Sequence, residues 1–124
     1  MEPVRIVLVE DNDVFREALE LLLGMRTDVE VVAAVGDGGE AVATVQQHDP
    51  DVVLMDYRLP GLDGVQATAA LMAACPGVAV VGLTASANER ERAALLSAGA
   101  VACLTKDRDL EEIVDAIVRA AHAR

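Results

Sequence analysis

Five short apolar runs alternating with five segments of helical period predict an α/β domain built on a parallel sheet with helices on both faces. The runs are Val4 to Val9, Val29 to Val35, Val52 to Asp56, Val78 to Leu83 and Val101 to Leu104. The central one, Val52-Val53-Leu54-Met55-Asp56, has four consecutive apolar residues, as a strand buried on both faces requires. Between the runs the apolar spacing changes to three and four residues, which hairpins lack.

Each element has a local rationale. The first strand ends in Glu10-Asp11-Asn12-Asp13, and Asp13 suits a helix start through the helix dipole. Phe15, Ala18, Leu19, Leu22 and Leu23 then predict a helical apolar face up to Gly24 and Met25. After the second strand, Asp37-Gly38-Gly39-Glu40 has the form of a capping box, followed by Ala41, Val42, Val45 and His48 up to a break before Pro50. Leu59-Pro60-Gly61 is a turn after the third strand. Asp63 with Gln66 caps a helix lined by Ala67, Ala70, Leu71 and Ala74. Thr84 ends the fourth strand, and Ser86 with Glu89 forms the clearest capping box, opening a helix through Ala93, Ala94 and Leu96 to the terminator Gly99. Asp109 with Glu112 caps the last helix, which carries Leu110, Ile113, Val114, Ile117, Val118 and Ala121.

Composition narrows the function classes. A chain of 124 residues is one domain's worth, able to bury a core without staples. It is 53% hydrophobic and only 2% aromatic, so Val, Ala and Leu fill the interior. A formal net charge of −11 argues against direct grip on a phosphate backbone. Cys75 and Cys103 follow no metal or redox spacing, Met1-Glu2-Pro3 lacks a basic leader, and no apolar run approaches a membrane span. A reduced, cytoplasmic chain is the expectation, either a whole small protein or the first domain of a longer one.

Parallel strands share one carboxyl edge, where open α/β sheets collect ligands. That edge carries Glu10, Asp11, Asp56, Thr84 and, beyond the last strand, Lys106. Singly, each is an ordinary cap, strand end or surface residue. Together, three converging carboxylates call for a hard divalent cation, for which Mg²⁺ suits an oxygen-only site. A hydroxyl and an ammonium complete a pocket for a phosphoryl group. The acidic first turn would repel a dinucleotide pyrophosphate.

Leu8-Val9-Glu10-Asp11-Asn12, Val53 to Gly64, Leu83-Thr84-Ala85 and Leu104-Thr105-Lys106 resemble the receiver domain of two-component response regulators. The segments Asp13 to Leu19, Ala98-Gly99-Ala100 and Lys106-Asp107 are most similar to the branch that precedes a LuxR-type helix-turn-helix domain, the NarL/LuxR type. The resemblance implies a flavodoxin-like strand order of 2-1-3-4-5. It implies that Asp56 accepts a phosphoryl group from a histidine kinase or phosphotransfer protein. Mg²⁺ would be held by Asp11, Asp56 and the Arg58 carbonyl, with Glu10 acting through water, while Thr84 and Lys106 contact the phosphoryl oxygens. Such a domain catalyses only its own phosphorylation and dephosphorylation.

The family commonly has Tyr or Phe where this chain has Cys103, which reads as a buried strand filler. Arg58 occupies a variable position that helps govern phosphoryl lifetime, and its guanidinium is expected to swing over the pocket toward Glu10 or the phosphoryl group. Thr84, Ser86, the helix from Glu89 to Ala98, the strand at Cys103 and the last helix form the expected responsive face. The expected partners are the kinase, a second copy, and DNA only through a further C-terminal domain. A stand-alone phosphorelay or interaction module is the alternative. A flavodoxin-like FMN protein is a distant one, disfavoured because Phe15 and Tyr57 are the sole aromatics and the first loop is acidic.

Overall fold

A computed structural model describes residues 2–86 and 88–123. The strands are β1 (Val4–Val9), β2 (Val29–Val35), β3 (Val52–Asp56), β4 (Ala79–Thr84) and β5 (Ala102–Thr105). The helices are α1 (Asp13–Gly24), α2 (Ala41–His48), α3 (Gly64–Ala74), α4 (Glu89–Ala98) and α5 (Leu110–Ala123), with a single 3₁₀ turn at Gly38–Glu40 before α2. All strand pairs are parallel, in the order β2-β1-β3-β4-β5, as the resemblance implied.

Side-chain alternation along the strands divides the interior into two layers. Ile6, Leu8, Val52, Leu54, Val81 and Leu83 face α1 and α5, packing on Leu19, Leu23, Ile113 and Ile117. Val7, Val9, Val53, Met55 and Val80 face the other way, onto Ala41 and Val45 of α2, Ala67 and Leu71 of α3, and Leu95 of α4. β3 is buried at every residue, which is why its sequence runs apolar instead of alternating.

The helix starts follow local chemistry, with one correction. Asp63 and Gln66 form a reciprocal capping box on α3. Asp37 accepts from the Gly39 amide at 2.7 Å and caps the 3₁₀ turn, while Asp109 accepts from the Glu112 amide at 2.9 Å. Asn12 caps α1 by accepting from the Phe15 amide at 2.9 Å. Ser86 does not cap α4. The helix begins at Glu89, and Asn88 accepts from the amides of Arg90 at 2.8 Å and Glu91 at 3.3 Å. Ser86 lies too far upstream and instead offers its carbonyl to the Thr84 hydroxyl at 2.7 Å.

The inward face of α4 also differs from the expected row. Glu91 and Leu95 are its buried residues, while Ala93 is exposed. In α3 the inward row is Ala67, Thr68 and Leu71, and Ala74 is exposed. Leu22 of α1, expected inside, is 45% exposed, and Val14, Leu21 and Met25 are more exposed still. α4 ends at Gly99, whose φ of 124° favours glycine.

One close approach fixes the mouth of the sheet. A Cβ on Gly64 would lie 2.2 Å from the Asp56 carbonyl oxygen, so α3 reaches the backbone of Asp56 only because residue 64 is glycine. The Gly64 amide donates to the Tyr57 carbonyl at 2.9 Å across the same turn.

The two candidate caps predict different stabilities. Asn88→Ala should lower unfolding free energy by about 1 kcal/mol, read by urea denaturation, while Ser86→Ala should leave it nearly unchanged. The reverse order would return the cap to Ser86.

Candidate functional site

The strand register assembles the site. Val9 pairs with Met55, so Glu10 and Asp56 stand one step further on, at the ends of adjacent strands. The Glu10 amide is held by the Val35 carbonyl at 2.9 Å, continuing the ladder from β2. On the other side, Thr84 pairs with Thr105, and the Lys106 amide donates to the Thr84 carbonyl at 2.8 Å. β5 therefore delivers Lys106 directly after its last residue, Thr105.

The side chains of Glu10, Asp11, Asp56 and Lys106 converge at this edge. Glu10 is fully buried and Asp56 is 3% exposed. One carboxylate oxygen from each of Glu10, Asp11 and Asp56 lies within 4.8 Å of the others. Lys106 Nζ sits 2.5 Å from Glu10 Oε1 and 3.2 Å from Asp56 Oδ1. Its ammonium also lies 4.8 Å from the centroid of the Phe15 ring, a cation–π contact from the first turns of α1.

Glu10 is held from several sides. Its Oε2 accepts from the Asn12 amide at 3.0 Å, and its carbonyl accepts from the Arg16 guanidinium at 2.8 Å. Arg16 also pairs with Asp13 at 2.8 Å, so Asp13 serves to hold Arg16. Glu10 Oε1 is buried with no aligned hydrogen-bond donor; its contact with Lys106 is ionic.

Burial pushes the Asp56 carboxyl up to about 7, from an ordinary value of 3.8. The neighbouring Glu10 adds to the rise and Lys106 opposes it. The three carboxylates exceed what Lys106 neutralises. That excess fits a positive ion, and the cluster is able to chelate a divalent cation.

Thr84 is 2% exposed, with its hydroxyl engaged by the Ser86 carbonyl. Beside it is a cavity of about 140 Å³ lined by Thr84, Ser86, Asn88, Arg92, Cys103 and Thr105. Cys103 is half-buried, not buried as expected, because β5 is the sheet edge and this cavity opens against it. Burial pushes its thiol up, away from thiolate chemistry.

Arg58 takes a different course from the one expected. Its backbone N–H donates weakly to Asp56 Oδ1 at 3.4 Å, but its guanidinium bonds Glu91 Oε2 of α4 at 3.3 Å, not Glu10. Lys106 already occupies the inner position beside Glu10. Sequence reasoning missed Glu91, Arg16 and the Phe15–Lys106 contact. Glu91 had one signal, a carboxylate four residues before Leu95 on the inward row.

Comparison with known proteins agrees with this geometry. The family model described as "Response regulator receiver domain" matches residues 6–118. The transcriptional regulatory protein DegU of Brevibacillus brevis is 36% identical over 114 residues, which are 92% of this chain and 48% of DegU. A transcriptional regulatory protein designated NarL, from Mycobacterium tuberculosis, is 36% identical over 123 residues, 99% of this chain and 57% of that protein. Thus the chain spans about half the length of these curated relatives.

Among solved structures, the signal receiver domain of the Mycobacterium tuberculosis response regulator NarL superposes with a TM-score of 0.94, at 35% identity and 100% coverage of both chains. A LuxR-family two-component response regulator from Aurantimonas gives a TM-score of 0.91 at 32% identity, covering 99% of this chain and 88% of that one. Among the described residues no helix is long and apolar enough to cross a membrane. This chain belongs to the response regulator receiver domain family: it is a phosphoacceptor domain related to transcriptional response regulators, with an acidic cluster of the kind that goes with aspartyl phosphorylation.

Proposed function

We propose that Asp56 is the phosphoryl acceptor, that Mg²⁺ is the cation of the cluster, and that the phosphoryl group switches an output surface around α4, β5 and α5. The observation that carries this is a buried Asp56 at the carboxyl end of β3, beside Glu10 and in contact with the Lys106 ammonium. Asp11, Asp56 and the Arg58 carbonyl would hold the ion, with Glu10 acting through water. When bound, Mg²⁺ supplies positive charge to the oxygens of the transferring phosphoryl group.

The chain's own residues then have defined tasks. An Asp56 carboxylate oxygen attacks phosphorus, forming the new P–O bond. The bond from phosphorus to the donor breaks, to nitrogen in a phosphohistidine or oxygen in acetyl phosphate, and the donor leaves with the electron pair. The Lys106 ammonium and the Thr84 hydroxyl bind the phosphoryl oxygens, where charge must be held. To reach them, Thr84 must release the Ser86 carbonyl, which frees the chain leading into α4. Cys103 replaces the family's usual ring, so ring burial does not report the change, and coupling to β5 and α5 is weaker than in receivers that keep the ring.

The wider role follows the relatives named as transcriptional regulators. The signal passes to a second copy of the chain or to a helix-turn-helix domain that contacts DNA, since a net charge of −11 opposes DNA contact by these residues. Exposed Val14, Leu21 and Leu22 on α1, with Met25 just past its end, support docking of a protein partner in the cytoplasm.

Incubation with acetyl phosphate and Mg²⁺ should add one phosphate to the wild type by intact mass and none to Asp56→Asn. Asp11→Ala should remove the Mg²⁺ dependence along with most of the labelling. Equal labelling of wild type and Asp56→Asn would place the acceptor elsewhere. A wild type that stays unlabelled even with its kinase would favour a phosphorylation-independent interaction module.

The raised Asp56 carboxyl also predicts a pH dependence. The folded state holds this proton more tightly than the unfolded chain, so ionisation costs folding free energy. That cost is absent below the ordinary 3.8, grows as pH rises through about 7, and is complete above it. In metal-free buffer, Asp56→Asn should therefore be more stable than wild type at pH 8, by about 1–3 kcal/mol. The difference should vanish near pH 4 and shrink when Mg²⁺ is added. A mutant less stable than wild type at pH 8 without metal would refute the assignment.

A further inference from the structure

Arg58 is attached to two carboxylates at once, its backbone N–H to Asp56 and its guanidinium to Glu91. The partners of the ion pair differ in freedom. The Arg58 side chain is 78% exposed, whereas that of Glu91 is 11% exposed on the inner face of α4. Among the described residues Glu91 joins Glu10 and Asp56 as one of three buried carboxylates. Its backbone amide is tied to the Asn88 cap, so its place in the helix is set. Arg58 is therefore the partner free to turn, and it sits two residues from the acceptor.

We propose that Glu91 is a positioning residue for the aspartyl phosphate: its carboxylate competes with the phosphoryl group for the Arg58 guanidinium and so sets the phosphoryl lifetime. This rests on the assignment of Asp56 as acceptor. Hydrolysis forms a bond from water oxygen to phosphorus and breaks the bond from phosphorus to the Asp56 oxygen. The carboxylate leaves, orthophosphate forms, and a water proton passes to solvent. A guanidinium drawn over the phosphoryl oxygens shields phosphorus from water on the open side of the site. Held by Glu91, the same guanidinium leaves that approach open.

The competition works in both directions. A phosphoryl group that captures Arg58 leaves Glu91 buried without its cation, which loosens the inner face of α4. Linkage requires the reverse as well: whatever weakens the Arg58–Glu91 pair must favour the phosphorylated state. The pair thus joins the acceptor loop to α4 by a path separate from Thr84.

The test is the half-life of the aspartyl phosphate after removal of acetyl phosphate, followed by intact mass for wild type, Glu91→Gln, Arg58→Ala and the double variant. Glu91→Gln should lengthen the half-life about two- to fivefold, the factor to which an ion pair of this exposure converts. The lengthening should disappear when Arg58 is Ala. A loss of packing alone would persist in that background. Glu91→Asp keeps the charge but withdraws it by one methylene; it should give an intermediate half-life and substitutes if Glu91→Gln does not fold. An unchanged half-life in both Glu91 variants, or a lengthening that survives Arg58→Ala, overturns the proposal while leaving Asp56 as acceptor. An unlabelled wild type overturns the acceptor assignment and this proposal with it.

Discussion

Two carboxylates, Glu10 and Asp56, are buried side by side at the ends of the adjacent strands β1 and β3, and the rest of the site answers their repulsion. Parallel pairing of Val9 with Met55 leaves them no other place. Lys106 is carried in on β5 to stand between them, and the ring of Phe15 packs on its ammonium. Arg16 braces the Glu10 backbone from α1. These contacts reduce the repulsion without removing it: burial first, and then Glu10, still push the Asp56 carboxyl up to about 7. A site left short of positive charge is one that a cation can fill and a phosphoryl group can enter with it.

The same arrangement explains how a local change reaches the surface. Thr84 ends β4 beside the acceptor and spends its hydroxyl on Ser86, while Arg58 follows the acceptor and spends its guanidinium on Glu91. Both contacts lead to α4, one at its entry and one on its buried face. α4 has few buried residues of its own, Glu91 and Leu95, and these two tethers act beside the packing of Leu95. An element with little core is the one that a few contacts can move.

Much of this was legible from residues alone. Continuous Val and Ile runs identify strands buried on both faces, and once those strands are parallel their last residues must share an edge. Glu10, Asp11, Asp56, Thr84 and Lys106 could therefore be grouped before any contact was known. What escaped depends on side-chain direction. Ser86 with Glu89 has the spacing of a capping box, yet Asn88 serves equally well and stands next to the first helical residue. Glu91 turns inward because it stands four residues before the buried Leu95, one turn away on the same face. The Arg58–Glu91 pair joins residues 33 apart in the chain, on elements whose relative rotation no periodicity specifies. Leu22 shows the opposite limit: an apolar residue at helical spacing remains 45% exposed because the sheet beneath α1 is already covered by Leu19 and Leu23.

Asp56 is a carboxyl held short of ionisation by burial and by Glu10, to be released by a cation, and its own titration is the direct test. The side-chain carboxyl carbon of Asp56, assigned by NMR against Asp56→Asn, would be followed with pH in metal-free buffer and again with Mg²⁺. The metal-free midpoint should lie near 7 and fall clearly when Mg²⁺ is present. A midpoint at the ordinary 3.8, unmoved by Mg²⁺, would contradict it.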